Sequence, residues 1–373
     1  MKPIKIGVLN FQHSDQNYGA VLQAAALQSI LASIGQTSEH INLIPQDRTL
    51  FRRFLQNSAQ FTKSILGIIE SAPKSKEVFE SFRIKYINRT KNTYRSNEDL
   101  KNEDFHYDAV IVGSDQVWRP PTANNLLESY FLSFAKKDVK KIAYAASFGV
   151  DYWPKENDAV LTEKVSELAK RFHRISTRED TGVEICKRHF DVEANQVLDP
   201  VLAVGREFFQ NIISNEVSEP NDKYADLVYY KLDIDNTFLT CIDEISDAID
   251  YSAENIYYLY KGKSRYYNSV PDWLSKIRNS NLVITDSFHA VCIAILFNKE
   301  FICCANKRRG LARLESLLKM LKIENRIHYE LDSTKIKNIL NSPIDYIKTN
   351  SILETKRVFS IEFLKNALEN SDE

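Results

Sequence analysis

The segment Leu282-Val-Ile-Thr-Asp-Ser-Phe-His-Ala-Val-Cys-Ile-Ala-Ile-Leu-Phe297 sets three capping side chains and an imidazole at one corner. Residues 282–284 read as a short buried strand and residues 290–297 as an apolar helix. Thr285, Asp286 and Ser287 each carry an oxygen able to accept from the first N–H groups of that helix. His289 then falls in the first helical turn, above the carboxyl end of a strand. Unpaired N–H groups and the helix dipole favour an anion there. An imidazole beside such a cradle suits proton transfer to a phosphorylated or carboxylated substrate. The same pattern also serves as an ordinary N-cap, since strand-to-helix corners are common in α/β proteins.

Other charged residues follow strands in the same way. Arg178 ends a strand at 174–178 and precedes Glu179-Asp180. Its guanidinium fork matches a carboxylate or phosphate, and an ion pair with a neighbouring acid is the structural alternative. Asn306-Lys-Arg-Arg-Gly310 concentrates three cations in a loop after a strand, with Arg313 one helical turn on. Such a loop is a phosphate site or a solvated face. Asp115 follows a buried strand and offers a proton acceptor, a partner for a sugar hydroxyl, or a turn cap. Trp118 could stack on a sugar ring or fill a core. Asn17, Tyr18 and Ser147 offer substrate hydrogen bonds or simply order their loops. Gly19, Gly113 and Gly149 allow backbone to approach a ligand closely.

The elements that position these residues form two α/β halves. Strands are expected at 4–10, 108–113, 141–145, 174–178 and 194–198, with a helix at 20–34 ending on Gly35. A basic, mostly helical insertion is expected at 49–94. The polar stretch 213–226, with Pro220, reads as a linker. A second series of strands follows at 227–232, 256–260, 282–284 and 300–304, with helices at 311–321 and 351–373. The domains are therefore expected at 1–205 and 206–350, with 351–373 a terminal helix that packs back on the first domain. Two Rossmann-like domains on one linker leave a cleft between strand ends, where ligands bind.

Composition excludes several functions. The chain has 373 residues, enough for two domains, and 43% of them are hydrophobic. Its 49 basic and 50 acidic residues leave a net charge of −1, without the basic excess that nucleic-acid binding needs. The five cysteines form no C-x-x-C pair and read as buried thiols in a reducing compartment. The first residues read as a strand rather than a secretory leader. No run of 18 apolar residues could span a membrane, so a cytoplasmic location is expected. The seven histidines do not pair with Cys, Asp or His at metal-ligand spacing. Dinucleotide, P-loop and nucleophile-elbow motifs are absent from the sequence.

Taken in order, these stations resemble the polysaccharide pyruvyl transferase family. The resemblance runs through Asn17-Tyr-Gly19, Val112-Gly-Ser-Asp-Gln-Val-Trp118, Ile142-Ala-Tyr-Ala-Ala-Ser-Phe-Gly149 and Ser176-Thr-Arg-Glu179. It continues through Val197-Leu-Asp-Pro200, Thr285-Asp-Ser-Phe-His289, and Asn306 with Arg309-Gly310 and Arg313-Leu-Glu-Ser316. Each motif is weak alone, and the ordered set is specific. The insertion at 49–94 matches least well.

The resemblance implies a GT-B-like arrangement of the two domains. It implies transfer of pyruvate from phosphoenolpyruvate to two sugar hydroxyls as a cyclic ketal, in surface or capsular polysaccharide biosynthesis. Phosphoenolpyruvate is a co-substrate; no metal or other cofactor is implied. Arg178 and His289 occupy the positions that contact the donor in relatives. Some relatives carry an arginine where this chain has Ser287, and Lys307, Arg308 or Arg309 would stand in for it. Many relatives have glycine at the position of Ala290. The expected site is thus His289 and Asp115 for catalysis. Arg178, Ser287, His289, Asn306, Arg308 and Arg309 are expected to hold the donor. Asn17, Tyr18, Gly19, Ser114, Asp115, Trp118 and Ser147 are expected to hold the acceptor. A lipid-linked acceptor would bring the protein to the inner membrane face, where Arg52, Arg53, Lys63, Lys74 and Lys76 offer basic contacts. The competing readings are a GT-B glycosyltransferase with a nucleotide-sugar donor and a non-catalytic carbohydrate-binding protein.

Overall fold

Runs that are apolar on both faces become the inner strands of parallel sheets, and the chain contains two sets of them. The computed structural model describes residues 3–45, 71–74, 76–217, 224–261, 264–306, 310–331 and 333–369. In the first lobe, β1 (Lys5–Leu9), β2 (Thr37–Leu43), β4 (Arg89–Tyr94), β5 (Ala109–Val112), β6 (Lys140–Ala146), β7 (Arg174–Thr177) and β8 (Asn195–Gln196) form one parallel sheet. Its order is β4-β2-β1-β5-β6-β7-β8. The second lobe holds β9 (Leu227–Tyr230), β10 (Ala253–Asn255), β13 (Leu282–Thr285), β14 (Glu300–Cys304) and β15 (Ile327–His328), in the order β10-β9-β13-β14-β15. A small third sheet joins the lobes. In it, β11 (Tyr258–Lys261) and β12 (Ser264–Tyr267) form an antiparallel pair, and β12 pairs in parallel with first-lobe β3 (Ser71–Lys74).

Each large sheet has a point where the strand order reverses. From β1 the chain moves outward to β2, then returns to place β5 on the other side of β1. From β9 it moves to β10, then returns to place β13 on the other side of β9. The loops leaving the carboxyl ends on either side of a reversal diverge and open a crevice.

The lobes also share a core. Helix Tyr18–Ser33 is apolar around most of its circumference, with Tyr18 to Leu27 continuously buried, as expected of an enclosed helix. Tyr18 stacks on second-lobe Trp273, with ring centroids 4.8 Å apart, and its hydroxyl donates to the Asn268 carbonyl at 2.8 Å. The terminal helix Tyr346–Leu368 crosses back to the first lobe. Its Ser360 hydroxyl accepts from Leu198 N–H at 2.9 Å, and Arg357 donates to the Ala203 carbonyl at 2.9 Å.

Several boundaries differ from the sequence expectation. The first helix starts at Tyr18 rather than residue 20, because the Asn17 side chain caps it through Gly19 N–H. The stretch 213–226 is only partly a linker, since helix Arg206–Glu216 buries Phe209, Ile212 and Ile213. Within 49–94, the described part holds helix Lys76–Tyr86 between β3 and β4, so strands share it with helix. Strand β2 escaped notice because His40 and Asn42 look like surface residues. Both are buried, with His40 Nδ1 3.2 Å from Asn10 Oδ1 and Asn42 accepting from Gln12. Arg52, Arg53 and Lys63 lie outside the described residues, and Lys76 is exposed.

Candidate active site

The two crevices face each other and close on one cavity of about 560 Å³. After β1 and β5 come Phe11, His13, Ser14, Asn17, Asp115 and Gln116. After β9 and β13 come Leu232, Asp233, Asp286, Ser287, Phe288 and His289. Arg119 and Arg313 add cations to the wall. Helices Tyr18–Ser33 and Phe288–Leu296 both begin here, capped by Asn17 and Ser287. Two helix N-termini thus meet at one cavity, each favouring negative charge.

Beneath the first-lobe wall lies a buried charge cluster. Arg178 donates to Asp199 Oδ2 at 2.9 Å and to Asp115 Oδ1 at 3.2 Å. Its Nε lies 3.9 Å from Glu179 Oε2. Asp199 Oδ2 also accepts from the Ser114 hydroxyl at 2.6 Å, and Oδ1 from Val201 N–H at 2.9 Å. Glu179 Oε1 accepts from the Ser147 hydroxyl at 2.9 Å and from Phe148 and Gly149 N–H at 2.7 and 3.1 Å. Burial pushes the Asp199 carboxyl up, but His289, then Arg178 and Ser114, outweigh it and hold its pKa well below the usual range. Asp115 follows the same logic: burial raises it, and Arg178, His289 and Arg313 win, leaving it depressed. Burial instead prevails at Glu179 and raises its pKa. Asp115 has φ +85°, a left-handed conformation that costs of order 1–3 kcal/mol in a non-glycine residue. This turn brings its carbonyl within reach of Val117 and Ser147 N–H at 2.7 and 3.1 Å.

The second lobe supplies the imidazole. Thr285 donates to the Tyr230 carbonyl at 2.6 Å and accepts from Ser287 N–H at 3.0 Å, fixing the corner. Asp286 accepts from Leu232 N–H at 3.0 Å and from Asn306 at 3.2 Å, tying both second-lobe loops together. His289 Nε2 faces Asp199 Oδ2 at 3.6 Å, a separation longer than a hydrogen bond. The opposite ring edge, with Nδ1, lies against Gly19, where any Cβ would collide with the imidazole. Gly310 is similarly close-packed: it has φ +81°, and a Cβ there would strike the Gly149 carbonyl. Phe288 is in contact with two guanidiniums, with Arg178 4.5 Å and Arg313 5.9 Å from its ring centroid. Burial, then Arg178, lower the pKa of Arg313 to about 10, which leaves it charged at neutral pH.

The expected site residues therefore separate into two groups. Asn17, Asp115, Ser287 and His289 line the cavity. Arg178 and His289 come from different lobes and meet on Asp199. Arg178 is nonetheless buried and clasped by carboxylates rather than set in the cavity wall. Trp118 is core: it is fully buried, stacks on Phe131 with centroids 4.7 Å apart, and donates to the Tyr130 carbonyl at 3.0 Å. Tyr18 is likewise enclosed at the lobe junction. Ser114 and Ser147 spend their hydroxyls on Asp199 and Glu179, and Gly19 is a packing surface for His289. Asn306 holds Asp286 in place. Arg308 and Arg309 lie outside the described residues. Sequence reading assigned no role to Asp199, Phe288, His13 or Arg119. The strand-ending Leu198-Asp199-Pro200 was the available signal for Asp199. His13 lines the cavity uncharged at neutral pH, because burial, then Arg83, lower it to about 4.

Two parallel sheets with facing reversal points define a two-Rossmann-domain protein of the GT-B type. Solved structures share this fold across nearly the whole chain. S. aureus MnaA, in a co-structure with UDP, is 11% identical over 100% of both chains, with a TM-score of 0.51. A putative UDP-N-acetylglucosamine 2-epimerase from Listeria monocytogenes is 10% identical over 96% of this chain and 91% of that one, with a TM-score of 0.53. Arabidopsis thaliana UGT89C1, complexed with UDP-L-rhamnose, is 8% identical over 99% of this chain and 100% of that one, with a TM-score of 0.51. At such identities the likeness is one of fold. No curated protein matches the sequence significantly. The chain belongs to the polysaccharide pyruvyl transferase family, whose sequence model matches residues 17–308. Membership implies a pyruvyl transfer in polysaccharide modification. No helix among the described residues is long and apolar enough to cross a membrane.

Proposed function

We propose that the protein moves pyruvate from phosphoenolpyruvate onto two hydroxyls of one sugar, forming a cyclic ketal and releasing phosphate. The observation that carries this reading is the meeting of His289, Arg313 and two helix N-termini in a single cavity between the lobes. Phosphoenolpyruvate places a phosphate and a carboxylate on one small carbon frame. It needs several N–H donors and cations close together, and this cavity wall offers them. The overall step balances without a metal or redox partner. One sugar hydroxyl proton is matched by the proton gained at the methylene carbon, which becomes the methyl group. The other leaves with the phosphate. Two new carbon–oxygen bonds replace the enol phosphate bond and the carbon–carbon π bond.

In this reading His289 delivers the proton to the methylene carbon, giving an oxocarbenium-like centre that a sugar hydroxyl attacks. Asp199 faces Nε2 and keeps the other nitrogen, Nδ1, at the edge against Gly19. The carboxylate acts through the imidazole as a positioning group. Arg178 in turn fixes Asp199 and Asp115, and Asp115 accepts a hydrogen bond from the attacking hydroxyl. Arg313 and Arg119 hold the donor's charges, with Ser287 at the helix start. Asn17 and His13 contact the acceptor. The reaction belongs to the building of a bacterial-type surface or capsular polysaccharide on the cytoplasmic side. A lipid-linked acceptor would bring the protein to the membrane face.

The test is incubation with phosphoenolpyruvate and a panel of galactose-, mannose- and glucosamine-type acceptors. The expected result is phosphate release together with an acceptor heavier by one pyruvate ketal, both lost in His289→Ala. Sugar transfer from a UDP-sugar, with no phosphate release from phosphoenolpyruvate, would replace this reading by glycosyl transfer. Sugar binding with neither reaction would leave a carbohydrate-binding protein.

A further inference from the structure

The third sheet contributes a surface that the reaction chemistry leaves unused. Its hairpin carries Tyr257, Tyr258, Tyr260, Tyr266 and Tyr267 within one short stretch of sequence. The hairpin is pinned at both ends of its reach. Tyr258 pairs across it with Tyr267, and β12 is hydrogen-bonded to first-lobe β3. Tyr257 packs edge-on against Tyr230 and Tyr267, with centroids 5.1 and 5.3 Å apart, and Tyr258 tilts against Tyr257 at 5.4 Å. Tyr257, Tyr258 and Tyr267 line a second hollow of about 490 Å³, together with Gln16, Lys231, Leu232, Asp233 and Ile234.

This hollow adjoins the candidate active site. Leu232 and Asp233 form part of both walls. Its chemistry differs from that of the neighbouring cavity. Among the described residues, one cation, Lys231, and one anion, Asp233, are the charged groups of its wall, and Lys231 Nζ bonds the Asp233 carbonyl. Among the described residues the wall carries no excess charge for a phosphate, while tyrosines offer ring faces beside polar tips. A neutral pyranose matches that combination, with C–H groups on its ring face and hydroxyls at its rim. The volume falls in the range of small-molecule sites, roughly 300–1,000 Å³.

We propose that the tyrosine hollow holds the sugar residue adjoining the one that is pyruvylated, so that the acceptor is an oligosaccharide or longer chain rather than a monosaccharide. The inference rests on the pyruvyl-transfer reading for its purpose, but the binding it predicts is separable from that reaction.

The experiment compares methyl glycosides with trisaccharides of galacto-, manno- and gluco-configuration, by titration without phosphoenolpyruvate. UMP serves as a nucleotide probe. At least one trisaccharide should bind about tenfold more tightly than its methyl glycoside, the scale of one aromatic contact. Tyr258→Ala should erase that advantage and leave methyl glycoside binding unchanged, whereas Tyr258→Phe should keep it. In the wild-type protein, saturation of aromatic protons should transfer to a second sugar ring of the bound trisaccharide, a readout that needs no variant to fold. Equal binding of trisaccharides and methyl glycosides, an advantage that survives Tyr258→Ala, or displacement of the trisaccharide by UMP would each overturn the proposal. Absence of phosphate release with every acceptor, alongside intact trisaccharide preference, would sink the pyruvyl-transfer reading and leave the sugar site standing.

Discussion

The two walls of the cavity use charge in opposite ways. On the first-lobe side, Arg178 is buried among Asp115, Asp199 and Glu179, and its positive charge is consumed within the protein. On the second-lobe side, Arg313 and His289 line the cavity itself, beside a helix start. Both guanidiniums lie over the ring of Phe288. An arginine at the end of a strand is therefore not by itself a ligand-binding arginine. What surrounds it decides: a cation clasped by carboxylates is a strut, and one in a cavity wall borders the space that a ligand would enter.

The comparison can be broken most directly at Arg178. Arg178→Ala strands two buried carboxylates and should cost about 3–5 kcal/mol of stability in urea denaturation. Arg313→Ala should cost clearly less, and equal losses would erase the distinction drawn here. His289→Ala should cost less stability than Arg178→Ala while lowering kcat by about 10²–10⁴-fold; near-wild-type turnover would remove the imidazole from the chemistry. Arg313→Ala should appear mainly as a raised donor KM, by about 10–100-fold, the scale of one charge-assisted hydrogen bond. A normal donor KM would move that role elsewhere. Gly19→Ala should lower kcat by roughly tenfold through displacement of the imidazole, and it should add nothing to His289→Ala if that contact is its whole effect.

The smallest expected effect is a pH slope. His40 is buried in the first lobe, and burial lowers its pKa to about 3. Above the unfolded value of about 6.5 it is neutral in both states and adds nothing. As pH falls below that value, only the unfolded chain takes up the proton, so stability declines by about 1.4 kcal/mol per pH unit down to about pH 3. Asp199 acts in a lower window: its depressed carboxyl contributes stability above about pH 3.9, lost as pH falls through its folded value. His40→Asn should flatten the decline between pH 6 and 4 and leave the steeper acid limb, which Asp199→Asn should soften. An unchanged slope in His40→Asn would assign that proton uptake to another group, such as His13.

Legibility in the sequence followed burial pattern. Continuous apolar runs such as β5 and β13 announced themselves, and so did the Thr285–Ser287 corner. Strand β2 did not, because its inward residues His40 and Asn42 are polar and hydrogen-bond to partners 30 residues away. Asn17, Asp115, Ser287 and His289 were legible as cavity residues because each follows a strand at a capping or turn position. Trp118, Tyr18, Ser114 and Ser147 share that placement yet face inward, since ring stacking and buried carboxylates claim them. Nothing local distinguishes the two outcomes.

Residue order alone determined the α/β alternation, the family and the strand-end position of each polar group, because apolar period and capping chemistry are local properties. Strand order belonged to the tertiary structure. The return of β5 beside β1, and of β13 beside β9, brings the two crevices face to face. That placement sets His289 of one lobe against Gly19 and Asp199 of the other. Such contacts join residues far apart in the chain, and only packing decides which of them meet.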